Sequence, residues 1–216
     1  MKKMIAATAV ALIAATGANA LTYATAVDWD GDAQGFVTGA TPFTPADMGA
    51  NGDPDRGDAR NALGAEDGVF LSLAINGVDV AVFTFDDQTF AGIEATVFEV
   101  TFSCAGGVGV GADGLCTAFP ETAELWVGET YTEGSGDISG FTKVADIPNG
   151  NAVTGASFLV ATSFKYLAVK NGSTHSLTDG FDLDAVSVAP VPLPAGLVLL
   201  GTALAGLGLA SRRKAA

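Results

Sequence analysis

The chain has 216 residues, 49% of them hydrophobic and only 16% charged, with 10 Lys and Arg against 24 Asp and Glu. That length fits one domain of ordinary size, and the apolar content excludes a chain disordered throughout. A formal charge of −14, with no basic cluster outside the two ends, repels phosphate backbones and excludes nucleic acid as a partner.

At the N-terminus, Lys2 and Lys3 precede an apolar stretch over residues 4–16, which closes on Ala18-Asn19-Ala20. A basic start, a short apolar stretch and an A-x-A ending are the parts of a secretory signal peptide, so residues 1–20 are expected to be removed by signal peptidase, which reads Ala18 and Ala20. The stretch is shorter than the roughly 17 to 25 residues that a membrane-spanning helix needs.

Residues 21–190 form the body. Half of the ten basic residues lie in the two ends, so the body keeps five against all 24 acidic ones, a net of −19. Such a surface stays soluble and draws divalent cations. Its first acidic run, Asp28-Trp29-Asp30-Gly31-Asp32, has alternate carboxylates that can converge on a hard cation such as Ca²⁺. It is not an EF-hand loop, because position six is Ala33 rather than Gly and position twelve is Gly39 rather than Glu. Asn51, Asp53, Asp55 and Asp58 repeat the spacing in a Gly/Pro context, and both runs also read as solvated acidic loops.

The rest of the body reads as strands. Residues 69–75 and 78–85 are runs of β-formers joined by Asn76-Gly77, the strongest short hairpin signal, because both turn positions need positive φ. In the second run Val80, Val82 and Thr84 alternate with Ala81, Phe83 and Phe85, which predicts burial on both faces. Further strands are predicted over 94–103, 122–127, 140–147, 156–161, 164–169 and 181–188, between turns rich in Gly, Asp and Asn. About eight short strands with no long helical period imply an all-β domain, a single two-sheet sandwich or jelly roll. Cys104 and Cys116 enclose a Gly-rich segment, and in an exported protein a disulfide between them is expected, worth roughly 3 kcal/mol through loop closure. On the last strand Asp182 and Asp184 are expected on one face, about 7 Å apart, where either could hold a structural Ca²⁺.

The C-terminus carries Val191, Pro192, Leu193, Pro194 and Ala195, then an uncharged Leu/Gly/Ala run to Ala210, then Arg212, Arg213 and Lys214. As a helix the twenty residues 191–210 would span about 30 Å, the thickness of a bilayer core, and the basic triplet stays cytoplasmic and stops the segment there. The two prolines keep the preceding segment extended and unpaired at the membrane surface. In motif, length and charge order residues 191–216 resemble the VPLPA-CTERM branch of the PEP-CTERM sorting signals of Gram-negative exported proteins. The resemblance implies a transient inner-membrane anchor, cut near the Pro motif by an exosortase-like protease, and delivery to the cell surface or extracellular matrix. An ordinary uncut anchor has the same hydropathy.

Within the body, residues 61–68, 121–127 and 179–186 resemble recurrent secreted sandwiches similar to the galactose-binding-like domains. That resemblance implies loops that bind glycans or surface ligands, and a structural Ca²⁺ near the last strand. A fold of this kind serves many functions.

Hydrolytic chemistry finds little support. His175 is the one histidine, and neither G-x-S-x-G nor H-E-x-x-H occurs. Arg56-Gly57-Asp58 and Asn171-Gly172-Ser173 are short enough to arise by chance. Trp29, Trp126, Tyr131 and Tyr166 would stack on sugar rings if exposed, although strand aromatics such as Trp126 are expected in the core. The residues therefore describe an exported, non-catalytic structural or glycan-binding module whose partners are signal peptidase, a sorting protease, the membrane and an extracellular polysaccharide. The alternative is a secreted carbohydrate-active hydrolase whose carboxylates the sequence does not single out.

Overall fold

The computed structural model describes residues 21–29, 35–39, 56–73, 79–100, 109–112, 116–117, 120–149, 155–173 and 180–190. The signal peptide, the sorting tail, Asp30, Asp32, Asn51, Asp53, Asp55, Asn76, Gly77, Cys104 and His175 lie outside the described residues. No helix among the described residues is long and apolar enough to cross a membrane.

The strands in chain order are β1 (Thr22–Tyr23), β2 (Ala26–Trp29), β3 (Val37–Thr38), β4 (Leu71–Ser72), β5 (Val80–Thr84), β6 (Ile93–Glu99), β7 (Thr122–Gly128), β8 (Thr142–Pro148), β9 (Ala156–Val160), β10 (Tyr166–Asn171) and β11 (Asp182–Pro190), with a 3-10 turn at Ala59–Ala62. Their β-branched and aromatic runs fall where the sequence places them, within a few residues at each end. All pairings are antiparallel. The first sheet runs β9-β6-β11, with β4 and β1 end to end along the other edge of β11. The second runs β3-β2-β5-β10-β7-β8.

The pairs β4–β11, β5–β10, β6–β9 and β7–β8 are nested, and successive pairs fall in alternate sheets. This is the jelly-roll arrangement, with β1, β2 and β3 added at the edges. It corrects the hairpin expected around Asn76-Gly77. β5 has β2 on one edge and β10 on the other, while β4 pairs with β11 in the opposite sheet. A favourable local turn sequence loses to burial: Leu71 and Leu73 are wholly buried in the shared core, and the pairing that holds β4 there is with β11.

Between the sheets, Ala81, Phe83, Leu125, Leu167 and Val169 of the second face Ala95, Val97, Leu183, Val186 and Val188 of the first. Trp29 and Phe85 are also fully buried there. The other face of the second sheet is covered too. Residues 129–141, between β7 and β8, lie across it as a strap, and Val82 and Ala168 are buried beneath Phe141, with Ile138 and Tyr131 alongside. β5 is therefore buried on both faces, as its sequence predicts. The strap returns close to the sheet at Gly128, where a Cβ would sit 2.5 Å from the Phe141 ring, so a larger residue would displace the aromatic lid.

Candidate functional site

Asp28 lies on the strap side of β2, between core residues Val27 and Trp29, and is only 2% exposed. Its Oδ2 accepts the Tyr131 hydroxyl at 3.0 Å and the Gly134 N–H at 2.6 Å. The Tyr131 oxygen in turn accepts the Gly136 N–H at 3.0 Å. One buried carboxylate thus pegs the strap to the sheet through a side chain and its backbone, interactions worth about 1.5 to 3 kcal/mol each when the acceptor is charged. Burial, opposed by the Gly136 N–H and aided by the Asp28 charge, pushes the Tyr131 hydroxyl up to about 12, so it remains a donor at neutral pH.

At the β2–β3 end of this face the strap leaves an open cleft of about 460 Å³. Its apolar wall is Phe36, Tyr131 and Tyr166: Phe36 stacks on Tyr166 with ring centroids 6.1 Å apart, and Tyr131 meets Phe36 edge-on at 5.9 Å. Each ring is half-buried, so part of its surface reaches the cleft. The rim is polar and acidic, formed by Thr25, Thr84, Asp86, Asp87 and Glu133. Glu133 Oε1 accepts the Phe36 N–H at 2.9 Å and fixes that ring, while Asp87 pairs with Lys165 at 2.8 Å. Lys165 also lies 5.4 Å over the Tyr166 ring. Asp86 and Asp87 both have positive φ, 50° and 59°, in a turn closed by Gln88 N–H to Phe85 O. Such a turn ordinarily takes Asn-Gly, so two carboxylates are held at the rim at a conformational cost.

The acidic residues singled out by the sequence meet different fates. Asp28 serves as a structural peg, its Oδ2 accepting from Tyr131 and Gly134, while Asp30 and Asp32, its expected partners in a cation loop, lie outside the described residues. Asp58 caps the Ala59–Ala62 turn and pairs with Arg60, whose side-chain hydrogen bonds hold its carboxyl below the usual range. Asp182 and Asp184 are not regular alternates on one face, because a bulge between Leu183 and Ala185 takes Asp184 out of the alternation. Asp182 accepts the Ser72 hydroxyl, whereas Asp184 accepts the N–H groups of Asp67 and Gly68, both at 3.2 Å. No group of three His, Cys, Asp or Glu able to hold a metal occurs among the described residues. Trp29 lies in the main core as a fully buried residue, whereas Trp126 is half-buried on the strap side, packed against the smaller cluster of Val82, Phe141 and Ala168. The strap and Phe36 escaped sequence reasoning, although Tyr131 in the strap and Tyr166 on β10 stand out as aromatics.

Burial pushes the Asp184 carboxyl up to about 6, helped by the nearby Asp67 and Glu66 charges and opposed by the two N–H groups. A raised native value means that the folded chain holds a proton which the unfolded chain releases near pH 4. Stability should therefore fall as pH rises from about 4 to about 6, by on the order of 1 to 2 kcal/mol after screening. Melting curves across pH 4.5–7.5 should show this slope, and D184N should flatten it relative to the unaltered protein.

No protein-family model and no curated protein matches the chain. Among solved structures it is similar to a truncated AlyQ with CBM32 and alginate lyase domains (12% identity, TM-score 0.36, covering 54% of this chain and 25% of that one). It is also similar to a SusE-like protein (15%, TM-score 0.44, 79% and 68%) and to a rhamnosidase from Klebsiella oxytoca with rhamnose bound (14%, TM-score 0.33, 80% and 29%). The chain thus spans about a quarter of the first of these proteins. At such identities these are partial likenesses in the path of the chain, and they carry no chemistry across.

Proposed function

We propose that this protein is an exported envelope or extracellular-matrix component whose body is a non-catalytic module that binds polysaccharide in the cleft formed by Phe36, Tyr131 and Tyr166. The observation that carries this reading is an aromatic wall locked in place by the strap and rimmed by fixed carboxylates. Sugar rings offer apolar C–H faces to aromatic side chains and hydroxyls to charged acceptors, and this cleft supplies both. A binding role is preferred to hydrolysis because two rim carboxylates already have positioning work, Glu133 on Phe36 and Asp87 on Lys165. The test is electrophoresis of the exported protein through gels containing neutral polysaccharides. Y166A should lose at least tenfold in affinity, and migration of the unaltered protein unretarded by every polysaccharide would overturn the reading.

Export and sorting belong to the same proposal: cleavage after Ala20, a transient anchor in residues 191–216, and processing near Pro192 and Pro194 by an exosortase-like protease. So does a disulfide from Cys104 to Cys116. Cys116 is wholly buried, and no free thiol is found among the described residues. Structural Ca²⁺ is proposed for the acidic segments that carry Asp30, Asp32, Asp53 and Asp55. Native intact mass of the exported protein reads all of these together. It should begin at Leu21, lack the basic tail, show the mass deficit of one disulfide and retain Ca²⁺; a full-length chain with both ends intact would overturn the sorting reading.

A further inference from the structure

The face that carries the Tyr166 cleft has a second hollow, of about 390 Å³, lined by Val80, Trp126, Asp137, Ser139 and Lys170. Lys170 is four residues from Tyr166 along β10, and Val80 four from Thr84 along β5, so the two hollows lie roughly 13 Å apart with the strap between them.

Trp126 is a fixed platform. Its indole N–H donates to Glu124 Oε2 at 3.0 Å, and Glu124 Oε1 accepts from Lys143 at 2.6 Å, with Lys143 braced in turn by Asp146 at 2.7 Å. Hydrogen bonds from Lys143 and then Trp126, with the charges of Lys143 and Lys170 behind them, hold the Glu124 carboxyl below its ordinary value against the opposing effect of burial, so the brace stays charged. Besides this brace, the hollow is lined by Lys170, a donor, and Asp137, an acceptor of opposite charge. Asp137 accepts the Ser139 N–H at 2.8 Å, which fixes its carboxylate at the rim. Lys170 forms no ion pair among the described residues, whereas Arg60, Lys143 and Lys165 are each paired with carboxylates and Arg56 lies 5.0 Å over the Phe70 ring. Lys170 stands opposite Glu124 in the β7–β10 register and its charge acts on that carboxylate, but the two make no direct ion pair, so the ammonium beside the immobilised indole can still donate to a ligand.

We infer that this hollow is a second sugar-binding site, which takes a neutral pyranose unit of the same polysaccharide chain that fills the Tyr166 cleft. The sugar ring lies on Trp126, and its hydroxyls accept from Lys170 and donate to Asp137. Opposite charges on the two rims leave no net charge for an ion to seek, yet match the donor and acceptor character of neighbouring hydroxyls. The acidity of the whole body opposes an acidic polysaccharide. Two sites on one chain make the second contact intramolecular, so affinity for polymer exceeds affinity for a short fragment. This inference rests on the glycan-binding reading of the first cleft.

The test uses the exported protein with galactomannan, xyloglucan and mixed-linkage glucan, and with alginate as the acidic control. For the polymer that binds, calorimetry with its di- or trisaccharide should give two sites per chain in the unaltered protein and one in W126A and in Y166A. Polymer affinity should fall at least tenfold in W126A and severalfold in K170M. K170M alters a surface side chain and reports on the site even if W126A fails to fold. One short-fragment site in the unaltered protein, or unchanged polymer affinity in K170M, would overturn the second site while leaving the first cleft standing. Binding of alginate in preference to the neutral polymers would overturn the assigned sugar class. Failure of the unaltered protein to bind any of them would overturn both sites.

Discussion

Replacing Asp28 by Ala is expected to cost about 3 kcal/mol and to release the strap from the second sheet. The Tyr131 hydroxyl and the Gly134 N–H both lose their bond to a carboxylate acceptor that is 2% exposed, and bonds of this kind are worth about 1.5 to 3 kcal/mol each. Because Tyr131 also forms part of the aromatic wall, the damage should reach the cleft: near-ultraviolet circular dichroism should lose tyrosine signal, and polysaccharide affinity should fall with it. D28N keeps one acceptor oxygen and should recover part of the loss. Urea denaturation measures the first effect. A D28A protein as stable as its parent would mean that Asp28 does not hold the strap.

The second large effect is expected in the core. Phe83 is fully buried at the centre of the second sheet, with Val27 opposite it on one neighbouring strand and Leu167 on the other. F83A should lose about 3 to 5 kcal/mol, through lost transfer free energy together with a cavity that two flanking strands keep from closing. E94A, on an exposed position of β6, should stay within about 0.5 kcal/mol and serves as the control. Equilibrium unfolding of the two proteins side by side decides the matter, and a cost for F83A below about 1.5 kcal/mol would contradict the packing of the two sheets.

Most strands were legible because their cause is local: runs of Val, Ile, Phe and Thr bounded by Gly and Asp. Partnership was not, because it depends on which distant strand buries the same face. Asn76-Gly77 shows the difference, since a strong turn signal stands between strands that belong to different sheets. β1 and β3, two residues each, are too short to leave a periodic trace. The bulge at Asp184 was equally invisible, and with it failed the simple alternation that put Asp182 and Asp184 together.

The site was legible only in fragments. Tyr131 and Tyr166 could be picked out as aromatics, but the strap that organises them reads as a Gly- and Ser-rich loop. One usable signal was present in β7: Ala123, Leu125 and Val127 alternate with Glu124 and Trp126, which places the tryptophan on the polar side of its strand. Asp28 was noticed for its charge, but its part in holding the strap was not legible, because a carboxylate that serves as a buried acceptor has the same sequence appearance as one that waits for a cation.

The pairing of β1 with β11 brings Thr22 opposite Val188, so the two extremities of the body emerge side by side from one layer of the sandwich. Both hollows open on the opposite layer. A chain leaving through β11 can therefore be tethered, cut or fused to a cargo without shadowing the surface proposed for polysaccharide, and the same would hold for an extension grafted ahead of β1.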